Sequence, residues 1–191
     1  MRREPLPLVL GSPYARDMRL RLVTAAATVV ALAFVGGHLN AGTASSLGSG
    51  VVASVYDGDT LTLGDGRRIR LVQIDTPELG TGECYSRAAR TALLRFAPPG
   101  AGVVLEADPS LDKVDRYGRL LRYVRRSGLN VNLELVRRGA AAPYFYRGDR
   151  GRYASQLMAV ARAARAAKRG LWRACPGTKL DPYHPVTTRK G

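Results

Sequence analysis

Cysteine and histidine are nearly missing from this chain of 191 residues, with two of each. The histidines are scattered, and with Cys84 and Cys175 they do not make the tetrahedral nitrogen–sulfur cage of a zinc site. Acids are scarce as well: 15 stand against 30 lysines and arginines, a formal charge of +15 at pH 7. Such an imbalance favours polyanions, whether nucleic acid, anionic membrane or acidic polysaccharide. An arginine-rich solvated surface is the plainer explanation, so charge alone decides nothing. No internal repeat is present, and the length suits one compact domain with extensions.

Long apolar runs are scarce too, and the run near the N-terminus, residues 22–35, is short. A membrane span usually needs about 20 apolar residues. Met18-Arg19-Leu20-Arg21 precedes the run and the small residues Ala41-Gly42-Thr43-Ala44 follow it, in the order of a secretory signal. Residues 1–44 are therefore expected to be a signal peptide, and the protein to be secreted. An uncleaved anchor with an extracytoplasmic domain is the alternative, because Gly36 and Gly37 extend the run. Residues before Met18 read as a misplaced start or a long n-region. Residues 45–191 hold 25 basic and 13 acidic residues, a net of +12, so the basic character belongs to the domain. In an exported chain the two cysteines point to one disulfide, Cys84–Cys175, with two unrelated thiols as the alternative. Closing so long a loop contributes roughly 4–5 kcal/mol in the chain-entropy account.

Ser45 to Gly50, "SSLGSG", reads as a flexible linker, and the folded domain is expected over 51–175. Val51–Tyr56 is a β-branched strand, Asp57-Gly58 turns, and Asp59–Leu63 alternates as the returning strand. Gly64-Asp65-Gly66 turns again into Arg68–Ile74. Ser86–Phe96 spaces Ala89, Ala92, Leu93 and Phe96 at helical intervals. Val103–Ala107 and Leu120–Val124 supply two further strands. Asn130–Arg138 is a short helix capped by Asn130 and stopped at Gly139. Tyr153–Lys168 is an alanine-rich helix closed by Gly170-Leu171-Trp172. Residues 176–191 have no periodicity and are expected to be loosely ordered. The sum is an α+β protein, a small five-stranded barrel with helical cover.

The chemistry gathers around "IDTPE". Asp59 shares strand parity with Leu61 and Leu63, so its side chain starts on their face. If that face is the core, a carboxylate there is costly unless paired or bound to metal. Asp75 ends the neighbouring strand, and two such acids with a backbone carbonyl nearby make a hard-oxygen site for Ca2+ or Mg2+. The alternative is that Asp59 merely caps the turn after Gly58. Arg70 lies in the third strand and Arg119 of "DRYGR" starts the fifth, both suited to bidentate hydrogen bonds with phosphate. With Glu78 to take the proton of an attacking water, the set fits phosphodiester hydrolysis.

"VYDGDTLTL", "IRLVQIDTPE", "DRYGRLLRYV", "NLELVRRGAA" and "RGLW" resemble, in order and spacing from Val51 to Trp172, the thermonuclease (staphylococcal-nuclease-like) family. The resemblance implies an OB-fold five-stranded barrel with three helices, and Ca2+-dependent cleavage of DNA and RNA leaving 3′-phosphate ends. It implies that Asp59, Asp75 and the Thr76 carbonyl hold calcium, with Asp57 behind them. Glu78 matches the family's general base, and Arg70 and Arg119 match its phosphate-binding arginines. Tyr144 and Tyr146 of "PYFY" resemble the tyrosines of the nucleotide pocket, on a segment one residue shorter than the family's. Cys84 and Cys175 look like the pair found in some exported relatives. DNA and RNA are the expected partners, single strands preferred, and a monomer the expected state. The main rival is an OB-type binding module without catalysis, although acids at such a site repel phosphate. A membrane-surface role fits poorly, since the last helix is mostly alanine on its other face.

Overall fold

The computed structural model describes residues 47–188, so the expected signal or anchor segment lies outside the described residues. Leu47–Val55 (β1), Thr60–Leu63 (β2) and Arg68–Leu71 (β3) form an antiparallel meander. The two-residue strand Ile74–Asp75 (β4) and helix Ser86–Phe96 (α1) follow. Gly102–Glu106 (β5) then pairs with β1, and Leu120–Arg126 (β6) with β5. The barrel closes where β6 runs parallel to β3, with Leu120 opposite Ile69. Five strands, in the order β3-β2-β1-β5-β6, thus form a closed barrel of the OB type, and the α+β expectation holds. Leu129–Asn130 (β7) folds back antiparallel on the end of β6.

Alternation fills the inside: Leu61 and Leu63 of β2, Ile69 and Leu71 of β3, Leu105 of β5 and Val124 of β6 are all buried. Each such side chain stabilises the fold by about 1.5–3 kcal/mol. Helix Val131–Arg137 (α2) starts at Asn130, whose side chain accepts from the Leu133 amide as a cap. Ala142–Pro143 (β8) pairs with β4. Helix Ala154–Ala166 (α3) buries Leu157, Ala161 and Ala164 while Arg162 and Arg165 face water. The face of Leu157, Ala161 and Ala164 therefore meets protein, while Ala159, Ala163 and Ala166 are exposed. Leu171–Ala174 (α4) is one further turn, so four α-helical segments stand where three helices were expected. Among the described residues, no helix is long and apolar enough to cross a membrane.

Gly139 and Gly170 explain two of the quoted motifs. The Leu171 amide donates to the Gly139 carbonyl at 2.8 Å, and a Cβ at either glycine would collide with the backbone of the other's segment. "RRGA" and "RGLW" touch through bare backbone, which only glycine permits.

Three expectations need correcting. The expected linker 45–50 is already strand from Leu47, because Ser49 and Gly50 pair with Val104 and Val103. The expected single strand Arg68–Ile74 is broken at Gln73, a non-glycine at φ 63. The tail is not loose over its described part. Pro182 accepts from the Phe145 amide at 2.6 Å, Thr188 donates to the Cys84 carbonyl at 2.8 Å, and Val186 is buried. Polar and proline-rich composition hid these contacts because each is made one at a time, without periodicity.

Candidate active site

The β1–β2 turn carries the first acids. The Asp59 amide donates to Asp57 Oδ1 at 3.0 Å, so Asp57 makes the turn and the Asp59 side chain is left to point inward. The capping alternative for Asp59 is thereby removed. Asp59 Oδ2 accepts from both the amide and the hydroxyl of Thr76, at 3.1 and 3.0 Å. This docking needs Gly58, since a Cβ there would lie 2.7 Å from Thr76 Oγ1 and 2.8 Å from Ala89 Cβ. The middle residue of "DGD" is small so that the hairpin can reach "IDTPE" and α1.

The break at Gln73 brings the second acid home. Gln73 Oε1 accepts from the Gly151 amide and the Tyr123 hydroxyl, while its amide nitrogen donates to the Asp149 carbonyl. Fixed in this way, the chain turns off β3 and carries Asp75 back over Arg70. Arg70 Nε lies 3.1 Å from Asp59 Oδ1 and its Nη2 lies 2.7 Å from Asp75 Oδ1. Its Nη1 donates to the Leu71 and Ile74 carbonyls, both at 2.8 Å. One guanidinium therefore spans both acids. The remaining Asp75 oxygen accepts from the Val186 amide at 2.9 Å, a contribution of the tail that no motif announced.

Burial pushes the Asp59 carboxyl up to about 8, against the pull of Arg70 and with Asp57 and Asp75 adding to the rise. Burial likewise raises Asp75, again opposed mainly by Arg70. The Arg70 guanidinium is raised despite its own burial, because Asp59, Asp75, Asp57 and Glu78 surround it. Glu78 is solvent-facing, and partial desolvation with Asp57 and Asp75 nearby lifts its carboxyl above the ordinary range.

Arg119 enters from the start of β6. Its Nε lies 2.6 Å from Asp115 Oδ2, and its backbone amide donates to the other oxygen of the same carboxylate. Tyr117 lies beneath its guanidinium, 5.4 Å from ring centroid to Cζ. A cleft of about 510 Å3 gathers Arg70, Asp75, Glu78 and Arg119 with Tyr144 and Tyr146. The two tyrosine rings meet edge-on at 6.4 Å. Asp57, Asp59 and Thr76 are buried beside this cleft, and Asp59 touches it through Arg70. Sequence reasoning missed Gln73, Asp115, Tyr117 and Val186. Asp115 and Tyr117 lay in "DRYGR" and Gln73 in "IRLVQIDTPE", whereas Val186 carried no signal.

Cys84 and Cys175 are bonded, closing the loop that follows Glu78 onto the end of α4. Residues 68–174 match the family described as "Staphylococcal nuclease homologue", more than half of the chain. The chain belongs to the staphylococcal nuclease family. The matched span holds Arg70, Asp75, Glu78, Arg119 and both cleft tyrosines, while Asp57 and Asp59 precede it.

Individual family relatives agree. Endonuclease YhcR of Bacillus subtilis (strain 168) is 34% identical over 138 residues, covering 64% of this chain and 11% of that protein. The Thermonuclease of Staphylococcus intermedius is 33% identical over 103 residues, covering 50% of this chain and 60% of that one. The Thermonuclease of Staphylococcus hyicus is 30% identical over 128 residues, covering 63% and 73%. This chain thus spans about a tenth of the Bacillus protein and 60% of the Staphylococcus intermedius one.

Proposed function

We propose that the chain is an exported nuclease that hydrolyses phosphodiester bonds of DNA and RNA. On this reading it depends on Ca2+, prefers single strands, leaves 3′-phosphate ends and works as a monomer. The observation that carries it is the convergence of Arg70, Arg119, Glu78 and Asp75 on one cleft with two tyrosines. The names of the nuclease relatives support it, and the Cys84–Cys175 bond supports export, since disulfides persist in oxidising compartments.

The donors available beside the cleft are Asp59, Asp75 and the Thr76 carbonyl, all hard oxygens. Among the described residues, no group of three His, Cys, Asp or Glu side chains is disposed to hold a metal. Two carboxylates, a carbonyl and water fit Ca2+, which accepts oxygen ligands from side chains, backbone and solvent alike. The raised carboxyls of Asp59 and Asp75 point the same way, because burial raises both and one shared arginine does not offset it. When bound, the cation supplies charge that polarises a phosphoryl oxygen and a water.

The protein's own groups do the rest. Glu78, its carboxyl raised by partial desolvation and open to solvent, takes the proton from the attacking water, a contribution of about 10²–10⁴. Arg70 and Arg119 are held in place by Asp75, Asp59 and Asp115 before substrate arrives. They donate to the phosphoryl oxygens as charge builds there, each worth about 10²–10³. Tyr144 and Tyr146 pack against the sugar or base beside the scissile bond.

The test is digestion of single-stranded DNA, duplex DNA and RNA with Ca2+ and again with excess EDTA. Cleavage only with Ca2+, fastest on single strands and leaving 3′-phosphate, is the expected result. Glu78→Gln should lower kcat by about 10²–10⁴ at an unchanged Tm. Tight binding without cleavage by folded protein would overturn catalysis and leave a binding module.

A further inference from the structure

A second cavity, of about 870 Å3, lies on the outer face of β2 and β3 against the start of α1. Tyr56, Arg68, Arg87 and Arg90 line it with Thr60 and Thr62, and no acid does. Among the described residues, none of these arginines is in an ion pair. Arg90 is steadied across the groove instead, its Nε donating to the Val55 carbonyl at 3.1 Å. Tyr56 is 67% exposed, so a face of its ring is open to a ligand. The catalytic reading uses none of these groups.

The groove meets the cleft in three ways. Thr60 lines the groove, and its hydroxyl lies 3.4 Å from Arg119 Nη1 in the cleft. Glu78 lines the cleft and its neighbour Leu79 lines the groove. Arg68 and Arg70 are alternate residues of β3, paired with Thr62 and Thr60 of β2, so they share one outer face. Two residues of strand separate them by roughly 7 Å, a step that an extended polynucleotide backbone can follow.

We propose that this groove is a subsite for single-stranded polynucleotide beyond the scissile bond. Arg68, Arg87 and Arg90 bind its phosphates, and Tyr56 stacks on a base. Cationic side chains along a groove with an exposed ring are the composition that grips single strands without sequence preference. An anionic membrane would also seek the charge, but a flat surface does not enter a concave cavity bounded by strand and helix. The proposal rests on the nuclease reading for the direction of the strand. It makes binding length-dependent, with an oligonucleotide that fills the cleft alone binding less tightly than one that runs on.

The experiment compares a labelled tetranucleotide with a single strand of roughly 20 nucleotides, bound in EDTA and followed by anisotropy, with cleavage in Ca2+ measured in parallel. The variant is Arg68→Gln, Arg87→Gln, Arg90→Gln combined, with the three Lys replacements as the charge-keeping control and Tm as the check on folding. Loss of three phosphate contacts should make the salt slope for the longer strand shallower by about 2 and weaken it roughly a hundredfold at about 0.1 M salt. The long-to-short affinity ratio should fall with it, and the Lys variant should keep most of both. A ratio that is the same in wild type and Gln variant would overturn the groove. So would a variant that loses binding to anionic vesicles and not to the long strand. Wild type that binds without cleaving would sink the nuclease reading alone, leaving the ratio to judge the groove. Wild type that neither binds nor cleaves either strand would sink both.

Discussion

Asp59 and Asp108 are almost equally buried, at 4% and 5% exposed, yet the fold treats them in opposite ways. Asp108 accepts from the Arg152 amide at 2.7 Å and from the amide and hydroxyl of Ser110. Burial pushes its carboxyl up, and those donors together with the Arg152 charge bring it below the ordinary value. Glu106 beside it shares Arg152, at 2.7 Å, but also has Arg125 at 3.8 Å and the Tyr153 hydroxyl. Asp59 also has donors, in Thr76 and Thr60, but Asp57 and Asp75 lie near it and Arg70 must serve both Asp59 and Asp75. Low surface exposure alone therefore does not mark a functional acid. What marks it is deep desolvation joined by like charge gathered in one place with too few cations to balance it.

The largest test of this contrast is reduction of Cys84–Cys175, which ties down the loop beside the site and leaves the Asp108 region untouched. Opening a closure of 91 residues should lower stability by about 4–5 kcal/mol. Hydrogen exchange should rise first between Glu78 and Ser86, before the amides around Arg152. A melting temperature unmoved by reductant would remove the disulfide from the account.

Arg70→Ala comes next. It strips two buried carboxylates of their cation and should cost about 3–5 kcal/mol in EDTA. Added Ca2+ should recover part of that loss, whereas it should do little for wild type's Asp108 region. Urea titrations of both proteins, with and without Ca2+, decide the matter, and a neutral substitution would mean the acids never depended on Arg70.

Asp108→Asn and Asp59→Asn should then move in different directions. The first should lose about 1–3 kcal/mol, because donors arranged for a carboxylate lose their acceptor. The second should leave stability in EDTA equal or raised near pH 8, while abolishing Ca2+-dependent cleavage. Equal losses in the two variants would erase the distinction drawn between them.

The last test is the pH profile without metal. A carboxyl raised in the folded state binds its proton more tightly there than in the unfolded chain. The stability Asp59 contributes is therefore full below 3.8 and lost as pH rises through about 8. Asp108 is lowered, so its contribution is present above 3.8 and lost as pH falls through its folded value. Subtracting the Asp59→Asn curve from wild type in EDTA should isolate a loss between pH 4 and 8, and Ca2+ should flatten it. A flat difference curve without metal would contradict the crowding of charge at the site.

Much of this was legible in the chain itself. Alternation in "DTLTL" predicted a strand whose inward leucines are fully buried, and the helical spacing in "SRAARTALLRF" predicted α1 to the residue. These are local signals: period two and period 3.6 are written by neighbours along the chain. The residue types of the site were legible too, because each catalytic candidate sat inside a recognisable motif. What sequence alone left open was their company. Gln73 reads as one more strand residue until Gly151, Tyr123 and Asp149 take hold of it and turn the chain. Val186 reads as tail until its amide meets Asp75. The groove of Arg68, Arg87 and Arg90 exists only because α1 lies against β2 and β3. The sequence by itself determined the barrel, its helices and the chemistry of the side chains available, since all three follow from local pattern and residue type. Tertiary structure alone decided which acids share a cation and which arginines are left for a ligand. Electrostatics falls with distance in space and takes no account of separation along the chain.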